Sequence, residues 1–280
     1  MKNWKEILSN YPYLIWVVFY ATLFWLIFGA NAQSFWYVFI IYLSCMILSL
    51  TPFAEWIWQK VMRVRPPSTQ KEKDKAIPLF EEVYEEAQKQ NPNIFKNIQL
   101  YIQDDMDINA FAFGQRTLIL TRGTVERLDD DSIKGFLAHE FGHFSHYDTV
   151  ALLFAHVSNL LMGLFMRIIY WFANMLHFIG SRSSNGEDAA WAVRVVYKTI
   201  MGVYNFIVFI GDLILMSVSR KHEFLADRFA YKCGYGENLV SALYLVRQQD
   251  LKKPPNFMER LLSTHPPLVK RIEKLENMEE

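Results

Sequence analysis

His139-Glu140-Phe141-Gly142-His143 is the stretch around which this 280-residue chain has to be built. Its two histidines are four residues apart, and at 3.6 residues per turn positions i and i+4 share one helix face. Both imidazoles can reach one metal ion at about 2.0–2.1 Å from each ring nitrogen. Glu140 lies about 100° round the helix from His139, beside the metal and within reach of a water on it, without being a ligand. That spacing suits metal-assisted hydrolysis of a peptide bond. A pentapeptide also arises by chance, and a surface helix with two solvated histidines would carry the same letters. The surrounding sequence separates these readings.

Hydrophobic residues make up 52% of the chain and charged residues 21%, which points to apolar blocks joined to a polar region. A formal net charge of +0 argues against a basic nucleic-acid binder. Four blocks meet the roughly 20 apolar residues a membrane-spanning helix needs. They run from Tyr11 to Ala30, from Ser34 to Trp58 with Pro52 and Glu55 interrupting, from Thr149 to Ile179, and from Thr199 to Ser219. The first block lacks a small-residue cleavage site, so a span is expected rather than a removed signal. Trp16, Trp25, Trp36, Tyr37, Trp56 and Trp58 fall near block ends, as interfacial anchors do. Lys2 and Lys5 precede the first block, Lys60, Arg63, Arg65, Lys71, Lys73 and Lys75 follow the second, and Arg220 and Lys221 follow the fourth. The turn Asn31-Ala32-Gln33 is uncharged, and the loop expected from Gly180 to Lys198 balances Arg182, Arg194 and Lys198 against Glu187 and Asp188. The positive-inside rule places both termini and the segment from Gln59 to Asp148 in the cytoplasm, with the chain in the cell (inner) membrane. Residues 1–60 form an N-terminal transmembrane hairpin, 61–148 a cytoplasmic region, 149–219 a second transmembrane pair and 220–280 a second cytoplasmic region. Cys45 and Cys233 would lie in a span and in the cytoplasm, so they read as small apolar fillers rather than a disulfide.

Between the second and third blocks, an amphipathic helix is expected from Ile77 to Gln90, after the break Arg65-Pro66-Pro67-Ser68-Thr69. Ile98, Leu100 and Ile102 alternate with polar residues, and Ile108–Phe113 with Thr117–Thr121 predict a hairpin around Gly114-Gln115. Asp129-Asp130-Asp131-Ser132 supplies N-cap and first-turn acids for the helix that carries His139, Glu140 and His143. That helix runs almost directly into the third block, and the fourth emerges into Arg220-Lys221-His222-Glu223. If the two are antiparallel neighbours, their cytoplasmic ends meet at the membrane surface.

A catalytic zinc takes three protein ligands and keeps one position for water. His146 is too far along the helix from His139, by about 10.5 Å, and reads as supporting or solvated. Glu223-Phe224-Leu225-Ala226-Asp227 is the better source: Glu223 can ligate the metal, and Asp227, one turn on, can accept a hydrogen bond from the far nitrogen of His139.

With these residues in place, the chain resembles the HtpX-like membrane zinc metallopeptidases, relatives of the CAAX prenyl protease. Four segments carry the resemblance: Asn109 to Gly114; Ala138 to His143 with Asp148; Glu223 to Asp227; and Ser263-Thr264-His265-Pro266-Pro267-Leu268 with Arg271-Ile272. The Phe141-Gly142 pair is particular to this sequence. The resemblance implies one Zn²⁺ per subunit on His139, His143 and Glu223, with Glu140 as catalytic base. It also implies a mainly α membrane fold with a gluzincin-type α+β peptidase domain and a small β-sheet. His265 and Arg271 become candidates to stabilise the oxyanion; the alternative is that Pro266-Pro267 starts the last helix and His265 orders that turn. Asn109 and Ala110 lie where an edge strand could pair with an extended substrate, or where Asn109 fixes a bend. Asp212, within the fourth block, lines a cavity or pairs with Arg167, while His156 and His177 read as structural. The expected activity is that of a zinc endopeptidase in the lipid bilayer, acting on misfolded membrane proteins as part of stress-linked quality control, with no nucleic-acid partner. A dedicated processing peptidase is the runner-up; a metal transporter or an inactive scaffold fits less well, since the ligands lie outside the spans and none is missing.

Overall fold

The computed structural model describes residues 10–180, 187–252 and 266–278. Lys2, Lys5, Arg182 and His265, invoked above, lie outside the described residues. The chain opens with two apolar helices, α1 (Tyr11–Ile27) and α2 (Ala32–Ser49), joined by a short turn. Asn31 caps α2 by accepting from the Ser34 amide, which in turn has its hydroxyl near the Asn31 amide. One face of α1, Tyr13, Trp16, Tyr20 and Phe24, packs with Val38, Tyr42 and Met46 of α2. Trp16 therefore differs from the anchoring role expected of it. It is buried, and its indole N–H donates to Asn159 at 2.9 Å.

The second apolar block does not continue to Trp58. Thr51 caps a separate helix, α3 (Pro52–Val61), because Pro52 has no amide to extend α2 and suits a first helical turn. After α3 comes β1 (Val64–Arg65), then α4 (Gln70–Gln90). The latter starts a full turn and more before the expected Ile77. The cause is a capping box, in which Thr69 accepts from the Glu72 amide and Glu72 accepts from the Thr69 amide. Strands β2 (Gln99–Gln103), β3 (Ala110–Phe113) and β4 (Thr117–Thr121) complete a mixed sheet in the order β1-β2-β4-β3. The expected hairpin is present as β3 antiparallel to β4, and β3 is an edge.

A short helix α5 (Arg122–Arg127) leads to α6 (Asp130–His146), whose N-cap is Asp129. Tyr147 then adopts a left-handed conformation at φ 63°, separating α6 from α7 (Asp148–Gly180). Next is α8 (Glu187–Lys232), a single 46-residue helix. The loop expected up to Lys198 is therefore helical from Glu187 onward. Helices α9 (Gly236–Lys252) and α10 (Leu268–Glu276) close the described chain.

By length and composition α2, α7 and α8 can cross a membrane, while α1 is a shorter apolar helix of 17 residues. This is a membrane protein with several candidate spans. Two cores divide the buried residues. One lies among α1, α2, α7 and α8; the other joins α4, the sheet, α6 and α9 with the ends of α8 and α10. Cys233 is buried in the second core and Cys45 is half-buried in the first. Within the bundle, His156 and Tyr204 are near Asp212, while Arg167 is exposed and no Arg167–Asp212 ion pair forms among the described residues. His177 contacts Arg194.

Candidate metal centre

Almost all of α6 is buried, because it runs through the middle of the second core. Phe141 holds one side in place, stacked on Tyr84 at 5.1 Å between ring centroids and against Phe80. Gly142 faces the other way, toward α8. A Cβ there would stand 2.6 Å from the Ala226 Cα, so the two helices cross where the side chain is a single hydrogen. That crossing brings Glu223 and Asp227 to the two histidines.

Ligand atoms of His139, His143 and Glu223 all lie within 4.8 Å of one another. His139 Nε2 is 3.5 Å from one Glu223 oxygen and His143 Nε2 is 3.5 Å from the other. These separations are too long for strong hydrogen bonds. Each runs to a different Glu223 oxygen and is close to the ligand–ligand spacing, roughly 3.3–3.6 Å, around a metal bound at about 2.0–2.2 Å. The donor set, two imidazoles and a carboxylate, is that of a zinc site with one position left for water. The residues present therefore fit the metal.

Partners behind the ligands set the tautomers. His139 Nδ1 meets Asp227 at 2.9 Å and His143 Nδ1 meets Asp148 at 3.2 Å. With Nδ1 turned to a carboxylate in each case, Nε2 is the ring atom left to ligate a metal at the common point. His222 Nδ1 lies 3.1 Å from the other Asp148 oxygen. Arg271 completes the buried set: Nη2 and Nε donate to Asp227 at 2.6 and 2.9 Å, and Nη1 approaches Glu223 at 3.0 Å. Nη2 also lies 3.2 Å from His139 Nδ1 and 3.4 Å from His139 Nε2.

Burial lowers the proton affinity of His139, and Arg271 adds to that, but Asp227 and Glu223 outweigh both and hold it above its ordinary value. Burial likewise works against His143, and Asp148 and Glu223 overcome it, holding its pKa well above normal. Burial pushes Asp227 upward, yet Arg271 and His139 pull it below the usual carboxylate range. Arg271 is the fixed positive charge among the buried carboxylates of Glu223 and Asp227, and such pairing is the condition for burying any of them.

Glu140 is buried on the same helix, next to His139. His146 is buried rather than solvated. Its Nδ1 lies 2.7 Å from the Gly142 carbonyl, and its own carbonyl accepts from Asn10. Asn109 sits at the start of β3, exposed, with its side-chain oxygen accepting from the Ala110 amide at 2.9 Å. Its backbone carbonyl accepts from the Thr121 amide. By ladder alternation, the Ala110 carbonyl and the Ala112 amide and carbonyl then face the open edge, while the Ala110 amide is held by Asn109. Sequence reasoning quoted Asp148 without a role; its place five residues beyond His143, just past the left-handed Tyr147, is the signal that could have assigned it.

A helix bearing two converging imidazoles, a third ligand from a second long apolar helix and candidate spans around them define a membrane zinc metallopeptidase. Residues 72–279 match the model of peptidase family M48, and the chain belongs to that family. Protease HtpX homologs from Tropheryma whipplei (strain Twist) and Lactobacillus helveticus (strain DPC 4571) are 31% and 29% identical over 205 and 208 residues. Each alignment covers 64% of this chain, and 66% and 67% of those relatives, about two thirds of their length. The crystal structure of S. mikatae Ste24p resembles the fold at a TM-score of 0.53 and 18% identity, covering 92% of this chain and 61% of that one.

Proposed function

We propose that this chain is an integral-membrane zinc endopeptidase, one ion per subunit, that removes misfolded or damaged membrane proteins. The observation that carries the catalytic part is the convergence of His139 Nε2, His143 Nε2 and the Glu223 carboxylate beside an unligated Glu140. Zinc held there supplies a Lewis acid that polarises the scissile carbonyl and makes water more acidic. Glu140 takes the proton of the attacking water and delivers it to the leaving amine. Asp227 and Asp148 hold the two imidazoles in their ligating tautomers. Arg271 braces the carboxylates of Asp227 and Glu223, and His265 and Arg271 are the candidate donors to the oxyanion. The edge of β3 receives an extended substrate at Ala110 and Ala112, with Asn109 shaping the entry.

In this reading α1 crosses the bilayer with α2, α7 and α8, making four spans. The site and both termini face the cytoplasm, which the basic residues after the second and fourth blocks support. The four-part division at residues 60, 148 and 219 belongs to the same reading. Quality control as the biological role rests on the resemblance to HtpX-like peptidases alone. Proteomics of the membrane fraction, wild type against Glu140→Gln, tests it. Accumulation of many unrelated membrane proteins is expected; a single accumulated precursor would replace it with dedicated processing.

A further inference from the structure

Helix α3 has its polarity inside out. Phe53, Trp56, Ile57, Lys60 and Val61 recur at helical spacing on one exposed face, with Phe53 at 62% and Val61 at 64% exposure. The opposite face carries Glu55, only 2% exposed, and half-buried Trp58 and Gln59. A helix on a water-facing surface shows the reverse pattern. A medium that accepts Phe, Trp, Ile and Val while leaving a cation at their end is the membrane–water interface.

The inner face is fastened to one place. Glu55 accepts from the Gln115 amide at 2.6 Å and lies 3.5 Å from the Thr117 hydroxyl. Gln59 donates to that same hydroxyl at 2.9 Å, and the Trp58 ring lies 5.7 Å from Phe113. Between them is Gly114, with φ +60°, where a Cβ would stand 2.5 Å from a Glu55 oxygen. The Gly114 carbonyl accepts from Thr149 at the start of α7. The β3–β4 turn is thus clamped between α3 and a candidate span.

We propose that α3 lies in the phospholipid headgroup layer and, through Glu55, fixes the β3–β4 turn and hence the open edge of β3 at the bilayer surface. Lipid is the occupant because α3 follows α2 after only Leu50 and Thr51, so its stripe continues the exposed apolar surface of Phe39, Leu43, Ile47 and Leu48. Lys60, with its ammonium 5.9 Å from the Trp56 ring centroid, and exposed Arg63 end the stripe with charges suited to phosphates. The consequence for substrate rests on the peptidase reading above; the placement of α3 and its grip on the turn do not.

The test uses full-length, zinc-loaded protein in nanodiscs of phosphatidylcholine and phosphatidylglycerol. Nitroxides are attached singly at positions 53, 57 and 131 in a Cys45→Ser/Cys233→Ala background. Oxygen should relax the labels at 53 and 57 more than a water-soluble nickel chelate does, and the order should reverse at exposed Asp131. Hydrogen exchange of the hairpin 110–121 is then compared in Glu55→Gln and in Phe53→Asp/Ile57→Asp, with normal zinc content as the check on folding. About tenfold faster exchange at the turn is expected in both. Nickel-dominated relaxation at 53 and 57, or spin–spin coupling between copies there, would overturn the lipid placement. Wild-type exchange in both variants would overturn the coupling. Neither readout needs cleavage, so an inactive enzyme leaves the result intact.

Discussion

Gly142→Ala adds one methyl group at the α6–α8 crossing, and its effect can be worked from the structure. The new Cβ would lie 2.6 Å from the Ala226 Cα and 3.0 Å from both the Ala226 Cβ and its carbonyl oxygen. The nearest obstacle is backbone, so no side-chain rotation relieves it. Ordinary contact starts at 3.4 Å, which asks the helices to separate locally by about 0.8 Å. Overpacking of this kind costs about 1–3 kcal/mol, while the helix-propensity gain of alanine over glycine returns about 1 kcal/mol. A net loss of ~0–2 kcal/mol is expected. The larger effect falls on the metal, because α6 carries His139 and His143 and α8 carries Glu223. Bond lengths at zinc tolerate about 0.2 Å, so the separation should weaken binding at least tenfold, about 1.4 kcal/mol. Zinc affinity by chelator competition and thermal melting in detergent measure the two parts. Gly202→Ala is the control, since nothing lies within 4 Å of a Cβ there. Wild-type zinc affinity in Gly142→Ala would refute the idea that this crossing sets the ligand geometry.

Three further outcomes follow from the same contacts. Asp148→Asn removes the negative charge beside His143 Nδ1 and His222 Nδ1 and one of the two acceptor oxygens, and should weaken zinc binding roughly 10- to 100-fold, read by metal content at fixed chelator; an unchanged content would free Asp148 of that role. Arg65 grips Glu72 with two hydrogen bonds of 2.9 Å and holds its carboxyl at about 2 against an ordinary 4.5. Because the folded-state value is depressed, this stability is complete above pH 4.5 and is lost as pH falls through about 2. With Arg65 partly exposed, Arg65→Ala should cost ~1–2 kcal/mol at pH 7 in chemical denaturation, with the gap to wild type closing below pH 4.5; a pH-independent gap would count against the pair. Stripping zinc with a chelator should abolish cleavage and lower the melting temperature, and added zinc should restore both, since a ligand of the native state alone stabilises it by about 4 kcal/mol at a thousandfold excess over Kd; full activity after stripping would contradict the assignment.

What could be read from residues alone was local or carried by long elements. His139 and His143 needed only helical spacing, and Glu223 and Asp227 needed only that α8 return beside α7. The β3–β4 hairpin was legible from alternation around Gly114. Other features were present but outweighed: the Thr69-x-x-Glu72 capping box started α4 early, although Pro66-Pro67 suggested a longer break. Strand β1 is two residues, too short for any periodic signal, and exists because Val64 and Arg65 pair with β2. Glu55 looked like an interruption of a span, since its burial depends on a turn 60 residues away. Arg271 reaches Asp227 across 44 residues, and nothing in their neighbourhoods announces that pair.

The central claim, that Glu140 is the base beside a zinc held by His139, His143 and Glu223, is tested most directly by cleavage and zinc content measured together on Glu140→Gln. The account predicts wild-type zinc content with cleavage of a peptide reporter reduced at least about 10²- to 10⁴-fold, the usual contribution of a positioned base. Cleavage at the wild-type rate in zinc-loaded Glu140→Gln would contradict it.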